Sequence, residues 1–302
     1  MKIGFMSNQL DNRGTGDALY KYAHYNETIL GNESIIVTKA HGNHDEEATA
    51  RFNARFKVFI LEQTDFKSLD AFYHIKSGFE DGMSAPVPYL VHAVFDNQPH
   101  GDAYATVSPW MGDRYDLPYV PHIVELADTS ETLREELGIP EDAVVFGRHG
   151  GADSFDIPFV KDSVSYYVQE HDNVYIVLLN TDKFVDHPRV IHLPATLDPI
   201  RKRQFINTCD AMIHARSRGE TFGLSVGEFA IAGKPIITYS ESQEKAHLQE
   251  LGQFALTYKD TITLERQFDK VVAGPLVSWG YGNFTPYNVM MKFEEVFLSC
   301  VK

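Results

Sequence analysis

The residues from Gly219 to Thr238 form the segment of the chain best suited to chemistry. They follow a predicted strand over Ala211–His214, cross a short loop and open a predicted helix. The first turn of a helix leaves backbone amides without acceptors and carries the positive end of the helix dipole, and together these hold phosphate oxygens. A glycine there lets a ligand approach the backbone closely. The segment therefore predicts a phosphate site at Phe222, Gly223, Leu224 and Ser225.

Two glutamates flank this predicted phosphate site. Glu228 lies about one turn inside the helix, where its carboxylate can accept hydrogen bonds from the vicinal hydroxyls of a ribose. Glu220 stands in the preceding loop, where it can orient a sugar beyond the phosphates, and it is a predicted catalytic residue. The alternative is an ordinary crossover whose glutamates face solvent. Gly233-Lys234-Pro235 ends the helix and returns the chain to a buried strand.

This segment resembles one enzyme family. Glutamates separated by seven residues, with Phe-Gly-Leu between them and Ala-Gly-Lys-Pro after them, are similar to the retaining glycosyltransferases of the GT-B fold, which include sucrose synthases and bacterial lipid mannosyltransferases. The chain resembles a virus-encoded member of this family. It implies transfer of a hexose from a nucleoside diphosphate sugar to an acceptor hydroxyl in glycan assembly, with retention. It favours GDP-mannose slightly over UDP-glucose and implies no metal ion or other cofactor.

The resemblance also suggests a cation for the donor diphosphate. Phe146-Gly147-Arg148 ends a predicted strand, and the family arginine at such a place neutralises the diphosphate. The family has a lysine five residues later, where this chain has Asp153. An aspartate near phosphate is repulsive by itself. Arg148 is therefore a predicted catalytic residue, with a surface salt bridge as the alternative, and the substitutes for the missing lysine are Arg216, Arg218 and Lys161.

Three further site predictions follow from the resemblance. Gly14 and Gly16 precede a predicted helix that begins near Asp17, and they match the family loop that closes over the donor. A surface turn and a dinucleotide-binding loop are the alternatives, although the third glycine of the latter is missing. His92 ends a predicted strand where a family histidine reaches the donor sugar, so it is a predicted catalytic residue, with a core histidine as the alternative. Leu193 ends another strand, where family backbone recognises the base.

The elements that must position these residues alternate between short apolar runs and amphipathic stretches, which predicts an α/β fold with parallel sheets. The resemblance implies a GT-B arrangement: two Rossmann-like domains facing across a cleft, with acceptor-side domain 1–122, donor-side domain 123–285, and a helix at 286–302 that packs back on the first. Predicted helices cover 131–137, 157–170, 199–207, 223–232, 243–251 and 287–301. Predicted strands are Lys2–Met6, Ser34–Val37, Lys57–Leu61, Ala71–Ile75, Tyr89–Val94, Ala103–Val107, Val144–Phe146, Val174–Leu179, Val190–Leu193, Ala211–His214 and Pro235–Thr238.

Composition narrows the classes of function. The 302 residues carry a formal charge of -15, which disfavours a nucleic-acid partner. Cys209 and Cys300 lie in apolar segments, which indicates buried reduced thiols, and we expect a cytoplasmic protein without a membrane segment. A metal site is not expected either. Two other classes remain open: a non-catalytic nucleotide-sugar or glycan-binding relative, and a sugar-nucleotide epimerase or oxidoreductase on paired Rossmann domains.

Overall fold

The computed structural model describes residues 1–301, and the chain divides into two compact units. Unit 1 comprises Met1–Ile123 and the chain from Asn283 onward, and unit 2 comprises Val124–Gly282. Each unit contains a six-stranded parallel sheet, so the predicted α/β fold with two parallel sheets is confirmed. The sequence places the boundaries at 122 and 285, whereas the structure places them at 123 and 282.

The sheet of unit 1 has the strand order β3-β2-β1-β4-β5-β6. Its strands are nearly continuous apolar runs because both faces of a parallel sheet are covered. The strands are β1 (Lys2–Ser7), β2 (Glu33–Thr38), β3 (Lys57–Ile60), β4 (Ala71–Lys76), β5 (Tyr89–Ala93) and β6 (Ala103–Thr106), and the helices between them and after them are α1 (Gly14–Thr28), α2 (Glu46–Arg55) and α3 (Pro109–Tyr115).

The sheet of unit 2 has the order β14-β12-β10-β7-β8-β9, and the short strands β11 and β13 pair separately. Its strands are β7 (Val144–His149), β8 (Val174–Leu179), β9 (Val190–Leu193), β10 (Ala211–His214), β11 (Gly219–Glu220), β12 (Ile236–Tyr239), β13 (Glu244–Lys245) and β14 (Ala255–Tyr258). Its helices are α4 (Arg134–Leu137), α5 (Pro158–Glu170), α6 (Pro199–Thr208), α7 (Leu224–Ile231), α8 (Ala246–Leu251) and α9 (Thr261–Val272).

The last helix, α10 (Pro286–Phe297), packs into the core of unit 1. Phe293 stacks on Tyr22 of α1 with ring centroids 5.6 Å apart, and Phe297 meets His92 of β5 at 5.3 Å. A single 3-10 turn, Leu298–Val301, follows this helix. That terminal turn leaves Cys300 exposed while Cys209 is buried, so the expectation that both thiols are buried is wrong for Cys300.

Two helix predictions need correction. The helix predicted over 131–137 is a single turn, Arg134–Leu137. Helix α1 begins at Gly14, so Gly14 and Gly16 belong to its first turn and not to a loop before it. The early start depends on Gly16, because a Cβ there would lie 2.1 Å from the carbonyl oxygen of Asp11. Gly16 is thereby accounted for by packing.

Candidate functional site

The start of helix α7 has the geometry of an anion site. Gly223, the residue before the helix, has a φ of 90°, a left-handed conformation that favours glycine. Among residues 1–301, the amides of Gly223, Leu224 and Ser225 have no hydrogen-bond acceptor. Phe222 is buried beside them. The four residues predicted for phosphate binding therefore lie together at a helix N-terminus that offers free N–H donors.

Strand β11 places Glu220 immediately before this helix start. Gly219 pairs with Glu244 of β13, and a Cβ on Gly219 would lie 2.0 Å from the Glu244 carbonyl oxygen, so only glycine permits this pairing. The Glu220 carboxylate accepts hydrogen bonds from His214 Nε2 at 3.2 Å and from the Arg216 guanidinium at 2.9 Å. The strand pairing and both side chains thus fix its position.

The electrostatics of Glu220 keep its carboxylate charged. Burial by itself raises the pKa of Glu220, but the hydrogen bond from His214 and the charge of Arg216 outweigh it and lower the pKa to about 2. Glu220 is therefore ionised at neutral pH, as a residue that accepts hydrogen bonds from sugar hydroxyls should be.

A chain of hydrogen bonds supports Glu220 from behind. His214 Nδ1 lies 2.9 Å from the hydroxyl of Thr238, and His247 Nε2 lies 3.0 Å from the same hydroxyl. For His214 to donate to Glu220 as a neutral ring, its Nδ1 must accept from Thr238. The Thr238 hydroxyl must then accept from His247. Each of these hydrogen bonds then has one donor and one acceptor, from His247 to Glu220. Together they hold the ring of His214 in one orientation.

Glu228 is buried in α7 at 2% exposure and does not face solvent. One of its oxygens forms an ion pair with Lys202 of α6, and the other lies 3.0 Å from His149 Nε2 at the end of β7. The interpretation of Glu220 and Glu228 as solvent-facing glutamates is therefore wrong. Sequence reasoning missed Lys202 and His149, although His149 follows directly on Arg148 in the sequence.

Arg148 is buried and its guanidinium binds protein groups. It donates to the carbonyl oxygens of Asn180 at 3.0 Å and Gly151 at 2.6 Å, and also to the hydroxyls of Ser154 and Thr181. Burial lowers its pKa to about 10, so it stays charged at neutral pH. The expectation that Arg148 faces a diphosphate is not met in this structure. Arg148 instead joins the loops that follow β7 and β8, and Asp153 is exposed.

Arg216 is the partly exposed cation beside Glu220, with 26% of its side chain accessible. It is one of the substitutes that the sequence offered for the family lysine. Arg218 is exposed, and Lys161 lies on α5 with its ammonium 5.7 Å from the centre of the Phe184 ring. Arg216 makes a direct contact with a predicted site residue, Glu220.

His92 lies in the core of unit 1 and is fully buried. Its Nδ1 is 2.6 Å from the hydroxyl of Tyr73, and its Nε2 is 2.9 Å from the carbonyl oxygen of Val120. Both ring nitrogens are thus occupied by protein groups, and no face is open to a sugar. This arrangement corresponds to the core-histidine alternative and corrects the catalytic prediction for His92.

Leu193 lines a small cavity of about 150 Å³ at the carboxyl ends of β8 and β9. Ligands of parallel sheets bind at such ends of the strands. The backbone turns sharply there, since Asn180 has a φ of 50°. The other residues that line the cavity are Leu133, Leu179, Pro194, Ala195, Thr196, Arg201 and Phe205.

Residues 1–301 also lack two other kinds of feature. No group of three or more His, Cys, Asp or Glu side chains in that range is arranged to hold a metal ion. No helix in the same range is long and apolar enough to cross a membrane.

Comparison with solved structures identifies the fold as GT-B. A glycosyltransferase from Rickettsia africae superposes with a TM-score of 0.72 at 12% identity, over 100% of this chain and 98% of that one. HepE of Anabaena, solved with UDP and glucose, gives 0.69 at 14% identity over 100% and 97%. A protein from Listeria monocytogenes assigned as a UDP-N-acetylglucosamine 2-epimerase gives 0.59 at 11% identity over 99% and 97%. No protein-family model and no curated protein matches the chain.

Proposed function

We propose that the chain is a retaining glycosyltransferase that moves a hexose from a nucleoside diphosphate sugar to an acceptor hydroxyl. One observation carries the proposal: free amides at the start of α7 lie between an ionised Glu220 and the buried carboxylate of Glu228. The amides fit a phosphate, and the two carboxylates fit the hydroxyls of a sugar on one side and of a ribose on the other. The GT-B fold agrees with it.

Each group of the donor has a proposed partner in unit 2. The amides of Gly223, Leu224 and Ser225 and the charge of Arg216 hold the diphosphate, Glu220 orients the sugar, and Glu228 accepts from the ribose hydroxyls. The base enters the cavity lined by Leu193. We assign the acceptor to unit 1.

The proposed reaction breaks the bond between the anomeric carbon and the diphosphate and forms a bond from that carbon to the acceptor oxygen. The leaving oxygen of the diphosphate takes the acceptor proton. Negative charge develops on the diphosphate, where preorganised amides and Arg216 stabilise it without a metal ion. We assign Glu220 to binding and orienting the sugar and not to nucleophilic attack, since each oxygen that accepts from His214 or Arg216 keeps a lone pair for a sugar hydroxyl.

GDP-mannose and UDP-glucose are the first donors to test. The sequence resemblance favours GDP-mannose slightly, and the presence of UDP and glucose in the HepE structure supports UDP-glucose. We also propose a role in glycan assembly, a cytoplasmic location and a virus-encoded origin. These three proposals rest on the sequence.

A sugar-nucleotide epimerase is the second candidate, because the fold of the Listeria monocytogenes protein is shared along almost the whole chain. The two activities differ in their products. A transferase releases a nucleoside diphosphate, whereas an epimerase returns a nucleotide sugar with one inverted centre.

The experiment is calorimetric titration of a panel of nucleotide sugars, followed by chromatography of the products formed with and without simple sugar acceptors. Release of UDP or GDP with a retained anomeric configuration supports the proposal. An inverted nucleotide sugar favours the epimerase. Binding without any turnover favours a non-catalytic binding protein, and tight NAD(P) binding without nucleotide-sugar binding refutes all three.

A further inference from the structure

Tyr281 lies in the connection between α9 and α10 and has an unusual backbone. Its φ is 62°, a left-handed conformation that non-glycine residues rarely adopt, and glycines 280 and 282 flank it. Its side chain is 3% exposed although much of the surrounding connection is open to solvent. A strained residue persists only where surrounding contacts hold it in place. Its contacts therefore point to its role.

Those contacts lead to the start of α7. The Tyr281 hydroxyl donates a hydrogen bond of 2.6 Å to the carbonyl oxygen of Phe222, and the two rings meet edge to face at 5.5 Å. A Cβ on Gly227 would lie 2.7 Å from Cδ1 of Tyr281, and one on Gly223 would lie 3.0 Å from its hydroxyl oxygen. Both glycines leave room for this one ring.

Gly227 is otherwise hard to explain, because glycine is unfavourable inside a helix. Its neighbours in α7, Val226 and Glu228, are buried, so the helix is tightly packed at this turn. A bare backbone at Gly227 lets the Tyr281 ring lie directly against the helix. The ring and the helix thus form one fitted unit at the proposed phosphate site.

The Phe222 carbonyl sets the direction of an amide. In a trans peptide the C=O and N–H groups point in opposite directions, so a Phe222 carbonyl aimed at Tyr281 turns the Gly223 N–H away from Tyr281. The directions of the Leu224 and Ser225 N–H groups are set by the same turn of backbone. We infer that Tyr281 is the positioning residue for the phosphate-binding amides, an inference that rests on the proposed function.

The test compares wild type with Tyr281→Phe, which removes only the hydroxyl. Calorimetry measures the affinities for UDP and uridine and for GDP and guanosine. A positioning role affects phosphate contacts alone, so the preference for the diphosphate over the nucleoside should fall about fivefold, the value of one hydrogen bond. A general loosening of the fold would lower both affinities by the same factor.

Tyr167→Phe is the matched control. Its hydroxyl donates to Asp269 at 2.8 Å, so the variant also loses one tyrosine hydrogen bond in unit 2, between α5 and α9. We expect a lower melting temperature and an unchanged preference for the diphosphate.

A double-mutant cycle keeps the inference testable if one variant is unstable. Gly227→Ala should weaken UDP or GDP binding in wild type, because the new methyl group displaces the ring. In a Tyr281→Gly background the methyl group meets no ring, and Gly227→Ala should then cost nothing further. Glycine also accepts the left-handed backbone at position 281.

The outcomes separate the two claims. If wild type binds no nucleotide, the proposed function fails and this inference fails with it. If wild type binds a diphosphate but Tyr281→Phe keeps the full preference, or if the effects of Gly227→Ala and Tyr281→Gly simply add, the positioning role of Tyr281 is wrong while the proposed function stands.

Discussion

Glu228 shows how much a single site residue depends on its neighbours. Burial of a carboxylate is costly unless it is paired, and Lys202 pairs one oxygen of Glu228. The other oxygen lies 3.0 Å from His149 Nε2, although the two atoms are not aligned for a hydrogen bond. A ribose hydroxyl must share these oxygens or displace Lys202, whose side chain is 21% exposed and can move into water.

Glu228→Gln keeps the shape of the side chain and removes its charge. We expect the affinity for UDP or GDP to fall about tenfold, because hydrogen bonds to a charged acceptor are stronger than those to an amide. The loss should appear for the nucleoside as well. Calorimetry with ribose and 2′-deoxyribose diphosphates measures it, since the preference for ribose should also shrink.

Glu170→Gln, an exposed substitution at the end of α5, is the control and should leave both affinities unchanged. A Glu228→Gln variant that prefers ribose as strongly as wild type would contradict the assignment of Glu228 to the ribose.

For single residues, the sequence predicted where candidate side chains lie along the chain but not the direction in which they point. Glu220 and the helix start were predictable because a loop glycine and two carboxylates at fixed spacing follow a strand. His92 and Arg148 were not, since a strand end can present a side chain to the core as well as to a ligand. The enclosure of His92 becomes visible only from its two partners, the hydroxyl of Tyr73 on β4 and the carbonyl oxygen of Val120.

Arg148 acts at the scale of elements, because it ties together the loops after β7 and β8. Arg148→Met leaves the carbonyl oxygens of Asn180 and Gly151 without this donor, so the free energy of unfolding should fall by roughly 3 kcal/mol. Arg148→Lys should not restore it, because an ammonium lacks the planar fork that reaches several acceptors. Urea denaturation measures both variants.

The exposed Arg266→Met on α9 is the control, and its unfolding free energy should stay within about 0.5 kcal/mol of wild type. Wild-type stability in Arg148→Met would mean that the loops are held by other contacts.

Most elements could be predicted from the sequence. The strands Val174–Leu179, Val190–Leu193 and Ala211–His214 match the prediction residue by residue, because continuous apolar runs between polar turns define buried strands. Strand β14 and helix α9 were missed. Helix α9 nevertheless carries a readable signal, a capping box between Asp260 and Thr263 ahead of an amphipathic stretch. The pairing of β11 with β13 could not be predicted, since two-residue strands leave no periodic pattern.

At the scale of the whole molecule, buried histidines make stability depend on pH. Burial lowers the pKa of His92 to about 4 and those of His74 and His247 to about 3, against about 6.5 in an unfolded chain. Between these values the unfolded state binds more protons, so stability rises with pH. The contribution of each histidine is complete above about pH 6.5 and is lost as the pH falls toward its folded-state value.

We expect each of these histidines to cost about 2 kcal/mol of unfolding free energy between about pH 7.5 and about pH 5. Urea denaturation at the two pH values measures the total. His92→Asn should be less stable at neutral pH, yet its loss on acidification should be smaller by about the contribution of one histidine. His41→Asn, at an exposed loop position, should behave like wild type. Equal acid sensitivity in wild type and His92→Asn would show that His92 binds protons alike in both states.

The division of the chain has a consequence for its synthesis. Unit 2 is one continuous segment, whereas unit 1 consists of two segments and includes α10. Phe293 and Phe297 of that helix cover Tyr22 and His92. During translation, part of the core of the unit 1 sheet therefore stays uncovered until all of unit 2 has been synthesised. The sheet that is made first is thus the last to be completed, and its aromatic core is the surface that a nascent chain most needs to protect from aggregation.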